Sequence, residues 1–129
     1  MGPQLNHTIA WCSDKAKSAG FLAHILGLPA PRQFFHFLVV DLSNEVSIDY
    51  FETDEQIALQ HFAFLVSEEE FDSSFRRIEE LGIEYWADPG RTMAGQINNH
   101  DGGRGVYFKD PDGHLLEIIT RPYGSGDKN

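Results

Sequence analysis

Cysteine and positive charge are both scarce in this 129-residue sequence. Cys12 is the only cysteine, which excludes an intrachain disulfide and fits a reducing, cytoplasmic setting. Ten Lys and Arg stand against twenty Asp and Glu, for a net charge of -10. That balance excludes nucleic acid as a natural partner, because phosphate binding needs a basic surface. No apolar run approaches the roughly 20 residues of a membrane span, so no membrane partner is expected. The N-terminus lacks a basic head followed by an apolar stretch, and no signal peptide is expected. The sequence has no GxGxxG, no P-loop and no GxSxG, so neither a nucleotide cradle nor a serine nucleophile is indicated. With no linker or low-complexity stretch, a single domain over residues 1–129 is expected.

What the sequence does contain, it contains twice. Leu5-Asn6-His7-Thr8-Ile9-Ala10-Trp11 is echoed by Leu59-Gln60-His61-Phe62-Ala63-Phe64-Leu65. Ser13 then matches Ser67, Phe21 matches Phe75, and Leu26-Gly27-Leu28 matches Leu81-Gly82-Ile83. A duplication of this kind predicts two similar units, about residues 5–52 and 59–121, related by an approximate twofold axis.

Within each copy the pattern predicts a strand, a helix and then further strands. Residues 5–12 read as a strand, and Ser13 stands where a helix N-cap is expected. Ala19, Leu22, Ala23 and Leu26 follow at helical spacing, and Gly27 closes the helix. In the second copy Ser67-Glu68-Glu69-Glu70 forms a capping box, whose acidic residues also suit a helix N-terminus. Phe71, Phe75, Ile78 and Leu81 are its expected buried face, with Gly82 ending it. Phe34 to Leu42 and Val46 to Phe51 read as strands joined by a turn at Ser43-Asn44. Ile83 to Trp86, Val106 to Phe108 and Leu115 to Thr120 read as strands. The last two are separated by the turn Asp110-Pro111-Asp112-Gly113. A polar loop spans residues 90–104, and the tail 124–129 reads as disordered. Helices laid on one face of strand hairpins make an α+β fold, with a curved mixed sheet and a groove.

Three residues could carry chemistry. His7 and His61 occupy equivalent strand positions, each on a face otherwise rich in apolar residues. Glu117 lies in the apolar last strand, where a carboxylate is costly to bury unless it is paired or bound to a cation. Two imidazoles and a carboxylate make a facial set that holds one divalent ion and leaves positions open. That set favours Fe(II), with Mn(II), Ni(II) or Zn(II) as alternatives. Aligning the copies sets Asp49 opposite Glu117, as a fourth ligand, an outer partner or neither. The bland reading is that each histidine is a satisfied strand residue and that Glu117 pairs with Arg104 or Arg121. Arg91, on the loop after Asp88-Pro89-Gly90, is a candidate for holding an anionic substrate group. Phe34, Phe35 and Phe37 read as core or as an aromatic wall. His24, His114 and Cys12 read as structural.

The repeat, the matched histidines and the Asp110-Pro111-Asp112-Gly113-x-x-x-Glu117 ending resemble the vicinal oxygen chelate superfamily. That superfamily includes glyoxalase I, type I extradiol dioxygenases, and fosfomycin and bleomycin resistance proteins. The resemblance covers residues 5–121. It implies paired βαβββ modules enclosing a cup around a divalent metal on His7, His61 and Glu117. The run from Asn98-Asn99-His100 through Val106-Tyr107 to Glu117 is similar to the extradiol dioxygenase signature. By that similarity His100 and Tyr107 would lie beside substrate as catalytic residues, with His exchanging protons and Tyr donating to a developing oxyanion. The resemblance implies a metalloenzyme acting on a small substrate with vicinal oxygens, most like a single-domain extradiol dioxygenase. A glyoxalase-like lyase or isomerase and a non-catalytic drug-binding protein are the alternatives. The ring-cleaving enzymes also carry an acid–base histidine shortly before the second metal histidine, and none stands between Phe37 and Gln60. A homodimer is implied as well.

Overall fold

A computed structural model describes residues 2–126 of the chain. It falls into two units that meet between Ala58 and Leu59. The first unit runs β1 (His7–Cys12), α1 (Lys15–Leu26), β2 (Arg32–Phe34), β3 (Phe37–Asp41) and β4 (Ser47–Glu52). The second runs β5 (His61–Leu65), α2 (Glu68–Glu80), β6 (Tyr85–Trp86), β7 (Gly105–Lys109) and β8 (Leu115–Ile119), with a 3₁₀ turn at His100–Gly102 before β7. The hydrogen-bonded ladders form two four-stranded mixed sheets, ordered β1-β4-β3-β2 and β5-β8-β7-β6. In each, the first strand runs parallel to the last and the remaining pairs are antiparallel. The expected α+β fold of paired βαβββ modules is therefore what the backbone forms.

The repeat extends to the register. Ile9 stands opposite Asp49 across β1 and β4, and Ala63 stands opposite Glu117 across β5 and β8. His7 and His61 each lie two residues before those positions. Asp49 and Glu117 are thus structural equivalents, as alignment of the copies predicts.

Strand alternation assigns the faces. In β1, Ala10 and Cys12 are buried on one face, while His7 and Trp11 are exposed on the other. Ala10, Leu22, Ile25, Val40, Ile48 and Tyr50 fill the first core; Phe64, Phe71, Ile78, Val106, Phe108 and Ile118 fill the second. Each such large apolar side chain contributes about 1.5–3 kcal/mol when wholly buried. The histidine faces are open, so the apolar surface expected around His7 and His61 is apolar in composition but accessible. Leu59 and Leu65, flanking His61, are more than 60% exposed.

Several boundaries differ from the sequence reading. The N-cap of α1 is Asp14, whose carboxylate accepts from Lys17 N, one residue beyond Ser13. Ser18 and Ile25 join the buried stripe of α1, and Leu26 is only half-buried. Gly27 takes the left-handed conformation, φ 66°, required to close the helix. The capping box of α2 forms as expected, Ser67 Oγ accepting from Glu70 N and Glu70 Oε1 from Ser67 N. Its buried face is Phe71, Ser74 and Ile78, while Leu81 lies on the outside, 51% exposed, beside the Gly82 turn. Strand β2 was hidden in the sequence by Pro29 and Pro31 and by its three-residue length. Of the tail expected to be disordered, Gly124 and Gly126 are ordered, their amides donating to the Asp101 carboxylate. Residues 127–129 lie outside the described residues.

Candidate active site

In the second unit three strands and one loop converge on Glu117. Its side chain is fully buried on the otherwise open face of β8. Oε2 accepts a hydrogen bond from the Tyr123 hydroxyl, and that oxygen lies 2.7 Å from the Tyr107 hydroxyl. Since Tyr123 gives its proton to Glu117, Tyr107 donates to Tyr123, and a two-phenol chain ends on the carboxylate. Oε1 has no hydrogen-bond partner, although His61 Nε2 is 3.2 Å away.

The reason lies at the other ring nitrogen. His61 Nδ1 is 2.9 Å from the Leu115 carbonyl, an oxygen that can only accept. Nδ1 therefore carries a proton, and Nε2 faces Oε1 at 3.2 Å. With the ring neutral the two meet as acceptors; with the ring doubly protonated they form an ion pair. A buried unsatisfied carboxylate oxygen is rare and costly. A divalent ion can take the place of a proton between them: two donors about 2.1 Å from one ion, at roughly a right angle, stand about 3 Å apart. The residues fit a divalent metal. His61 is about half exposed, which leaves the pair open on one side.

Burial pushes the Glu117 carboxyl above its usual range, opposed by the Tyr107 hydroxyl and by positive charge on His61 and His100. Burial, with the neighbouring Glu117, also raises the Tyr107 phenol well above 10, so it stays a proton donor at neutral pH. The Tyr107 and His61 rings stack at 6.1 Å between centroids. The arginines that could have neutralised Glu117 are engaged elsewhere. Arg104 binds Glu68 and Asp72 and lies over the Phe71 ring, and Arg121 donates to the Ser125 carbonyl.

His100 is exposed at the start of the 3₁₀ turn. Asn98 holds this loop through both backbone bonds to Gly105, a side-chain bond to the Ala87 carbonyl, and acceptance from His100 N. Asp101, at φ 57°, ties the same loop to the tail that carries Tyr123. Tyr123 was missed in the sequence; its position four residues beyond Ile119, after the turn-forming Pro122, is the only signal. Arg91 is exposed in the Asp88 turn, at φ 59°. His114 is fully buried, its Nδ1 accepting from Gln60 N, which fits its structural reading.

His7 belongs to the first unit. Its Nδ1 is 2.7 Å from the Asn6 side-chain oxygen. It borders a cleft of about 310 Å³ walled by Ile9, Phe34, Phe37 and Val39, with Asp49 and Ser47 at its polar end. Asp49 is buried, and its Oδ1 accepts from the Ser47 hydroxyl at 2.7 Å. Phe37 is half-buried and Phe34 half-exposed, so these two line the cleft rather than the core, while Phe35 is 76% exposed at the turn. Among the described residues no group of three or more His, Cys, Asp or Glu comes together. No helix among them is long and apolar enough to cross a membrane.

Residues 4–118 match the family described as the Glyoxalase/Bleomycin resistance protein/Dioxygenase superfamily. Glutathione transferase FosA of Serratia marcescens is 32% identical over 122 residues, covering 88% of this chain and 78% of the relative. The solved structure of oxidase ChaP-H2 is 56% identical, covers 98% of this chain and all of that one, and superposes with a TM-score of 0.95. A mutant of the fosfomycin resistance protein FosX from Listeria monocytogenes, complexed with Mn(II) and 1S,2S-dihydroxypropylphosphonic acid, shares the fold. Its TM-score is 0.70 at 24% identity, covering 95% of this chain and 93% of that one.

Proposed function

Because this chain belongs to the Glyoxalase/Bleomycin resistance protein/Dioxygenase superfamily, we propose that it is a metalloenzyme that oxidises a small substrate bearing vicinal oxygens. The observation that carries this reading is the fully buried Glu117, whose Oε1 has no hydrogen-bond partner and stands 3.2 Å from His61 Nε2. In this reading His61 and Glu117 hold one divalent ion, His7 being the sequence's candidate for a second imidazole. Fe(II) is favoured by the 2-His-1-carboxylate set, and the Mn(II) of the FosX complex supports a divalent ion of the same class. When bound, the ion would act as a Lewis acid and oxygen-activating centre.

The chain's own residues supply the rest. The Tyr107–Tyr123 hydroxyl chain fixes Oε2 of Glu117 and so directs Oε1 outward. Tyr107 is held in its protonated form, and by turning its hydroxyl from Tyr123 it would donate to an oxyanion developing on the substrate. His100, exposed on the loop anchored by Asn98, can exchange a proton with solvent. Arg91 stands as a binder of a substrate anion from its exposed turn. The likeness to an oxidase at 56% identity favours oxidation over group transfer. Ring cleavage of a catechol is the narrower form of this reading.

A second reading, thiol transfer to a phosphonate drug, draws on the likeness to FosA. One comparison separates the two. Protein loaded with Fe(II) or Mn(II) is incubated with catechols while oxygen is monitored, and separately with fosfomycin and glutathione. Oxygen consumption that needs the metal supports the oxidase; fosfomycin loss without oxygen uptake overturns it.

A further inference from the structure

At the root of β8 a ring nitrogen takes the place of a ladder carbonyl. His114 is fully buried one residue before the strand, and its Nδ1 accepts from Gln60 N at 2.9 Å. A backbone N–H can only donate, so Nδ1 is the unprotonated nitrogen and the ring proton is on Nε2. Gln60 is held on its other side as well, its carbonyl accepting from Leu115 N at 3.0 Å. The next residue is His61, whose Nδ1 donates to the Leu115 carbonyl at 2.9 Å. Residues 114 and 115 therefore grip both the backbone entering His61 and the His61 ring itself. The His114 ring is braced in turn. Its backbone N–H donates to Asp110 Oδ1 at 2.9 Å, its carbonyl accepts from Asp110 N at 3.0 Å, and the Phe62 ring meets the imidazole edge-on.

The first unit supplies the comparison. Since His7 pairs with Ser47 as His61 pairs with Leu115, Val46 stands at the place of His114. Valine has no acceptor to offer. There Ser47 N still donates to the Asn6 carbonyl, at 3.1 Å, but His7 Nδ1 lies against the Asn6 side chain. The copy with the ring acceptor sets its strand histidine on the closing strand, and the copy without it sets its histidine on a sequence neighbour.

We propose that His114 is a positioning residue of the candidate active site: it fixes the start of β5 so that His61 Nδ1–H stays on Leu115 and Nε2 stays aimed at Glu117. The inference rests on the metalloenzyme reading only for what His61 holds; the latch from His114 to His61 is independent of it. A metal-binding imidazole takes its tautomer and orientation from the partner of its other nitrogen, and loss of such support costs about 10–100-fold in affinity.

The test uses the full-length protein. In metal-free wild type at about pH 9, well above the ordinary imidazole range, nitrogen NMR of isotope-labelled protein should show two signals. One is a coupling across the N–H···N bond from Gln60 to His114; the other is a His61 ring protonated at Nδ1 alone. Absence of that coupling overturns the proposal without any variant. His114→Val, which copies the first unit, is expected to leave His61 as a mixture of tautomers and to weaken Mn(II) about tenfold or more in chelator competition. His114→Asn, whose Oδ1 keeps an acceptor near the place of Nδ1, restores both readouts toward wild type. Ile78→Val, which loosens the same core, leaves Mn(II) affinity unchanged. A His114→Val protein with a single Nδ1–H tautomer and wild-type affinity overturns the proposal, and so does an Ile78→Val protein that loses as much affinity as His114→Val. Wild type that binds no Mn(II) sinks the metalloenzyme reading, while the His61 tautomer still decides the latch.

Discussion

At the scale of single residues, the protonation states explain why the Glu117 pair is poised for a cation. Glu117 is buried, and its carboxyl is raised above the ordinary value of 4.5. A raised acid stabilises the fold while protonated, below that ordinary value, and this contribution is lost as pH climbs through the folded value. Metal-free protein should therefore lose stability above about pH 4.5, and a divalent ion should return it. An ion present at 100 times its dissociation constant adds about 2.7 kcal/mol. Melting curves across pH, with chelator and with Fe(II) or Mn(II), check this; equal responses in wild type and Glu117→Gln would refute it. Tyr107 gives a second test. Its phenol is raised above 10, so its stabilising proton persists through neutral pH and is lost only under strong alkali. Difference absorbance of tyrosinate should show a late-titrating tyrosine that is lost in Tyr107→Phe. Tyr123→Phe removes the bond that aims Glu117, and by analogy with other outer partners should weaken metal binding by about 10–100-fold in a chelator competition.

At the scale of elements, the helix ends set what the sequence could disclose. Ser67 and Glu70 spell a reciprocal cap in four letters, and the structure builds it. Ser67→Ala should cost about 1 kcal/mol in urea unfolding, and Asp14→Ala a similar amount, since Asp14 and not Ser13 accepts from the first turn of α1. Ser13 and Asp14 are adjacent and both good caps, so composition alone could not choose between them. The alternation of β1 and β5 made the histidine faces legible, and the duplication made the Asp49–Glu117 equivalence legible. Strand β2 was not, because three residues between prolines and a tight turn show no period. Tyr123 was not, because its place depends on Asp101 drawing the tail back by two amides, a contact between residues more than twenty apart in the sequence. The cleft was equally hidden: Arg32 and Ser47 gain meaning only once the ladder sets β2 and β4 on either side of β3.

At the scale of the whole molecule, β1, β2 and β5 are outer strands of the two sheets, the kind of edge at which a second copy pairs, whereas residues 93–95 cover the edge of β6. Light scattering during gel filtration should report a dimer of about twice 14.6 kDa; a monomer at micromolar concentration would contradict the homodimer. The matched ladders have a last consequence. One backbone position, counted two residues past each strand histidine and across to the closing strand, bears an acid in both halves, Asp49 in one and Glu117 in the other. Because each acid hangs from its own set of hydrogen-bonded strands, a change at Asp49 leaves the scaffold beneath Glu117 untouched, and the two effects should add. A chain built this way can change the acid of one copy while the ladder and the acid of the other stay as they are.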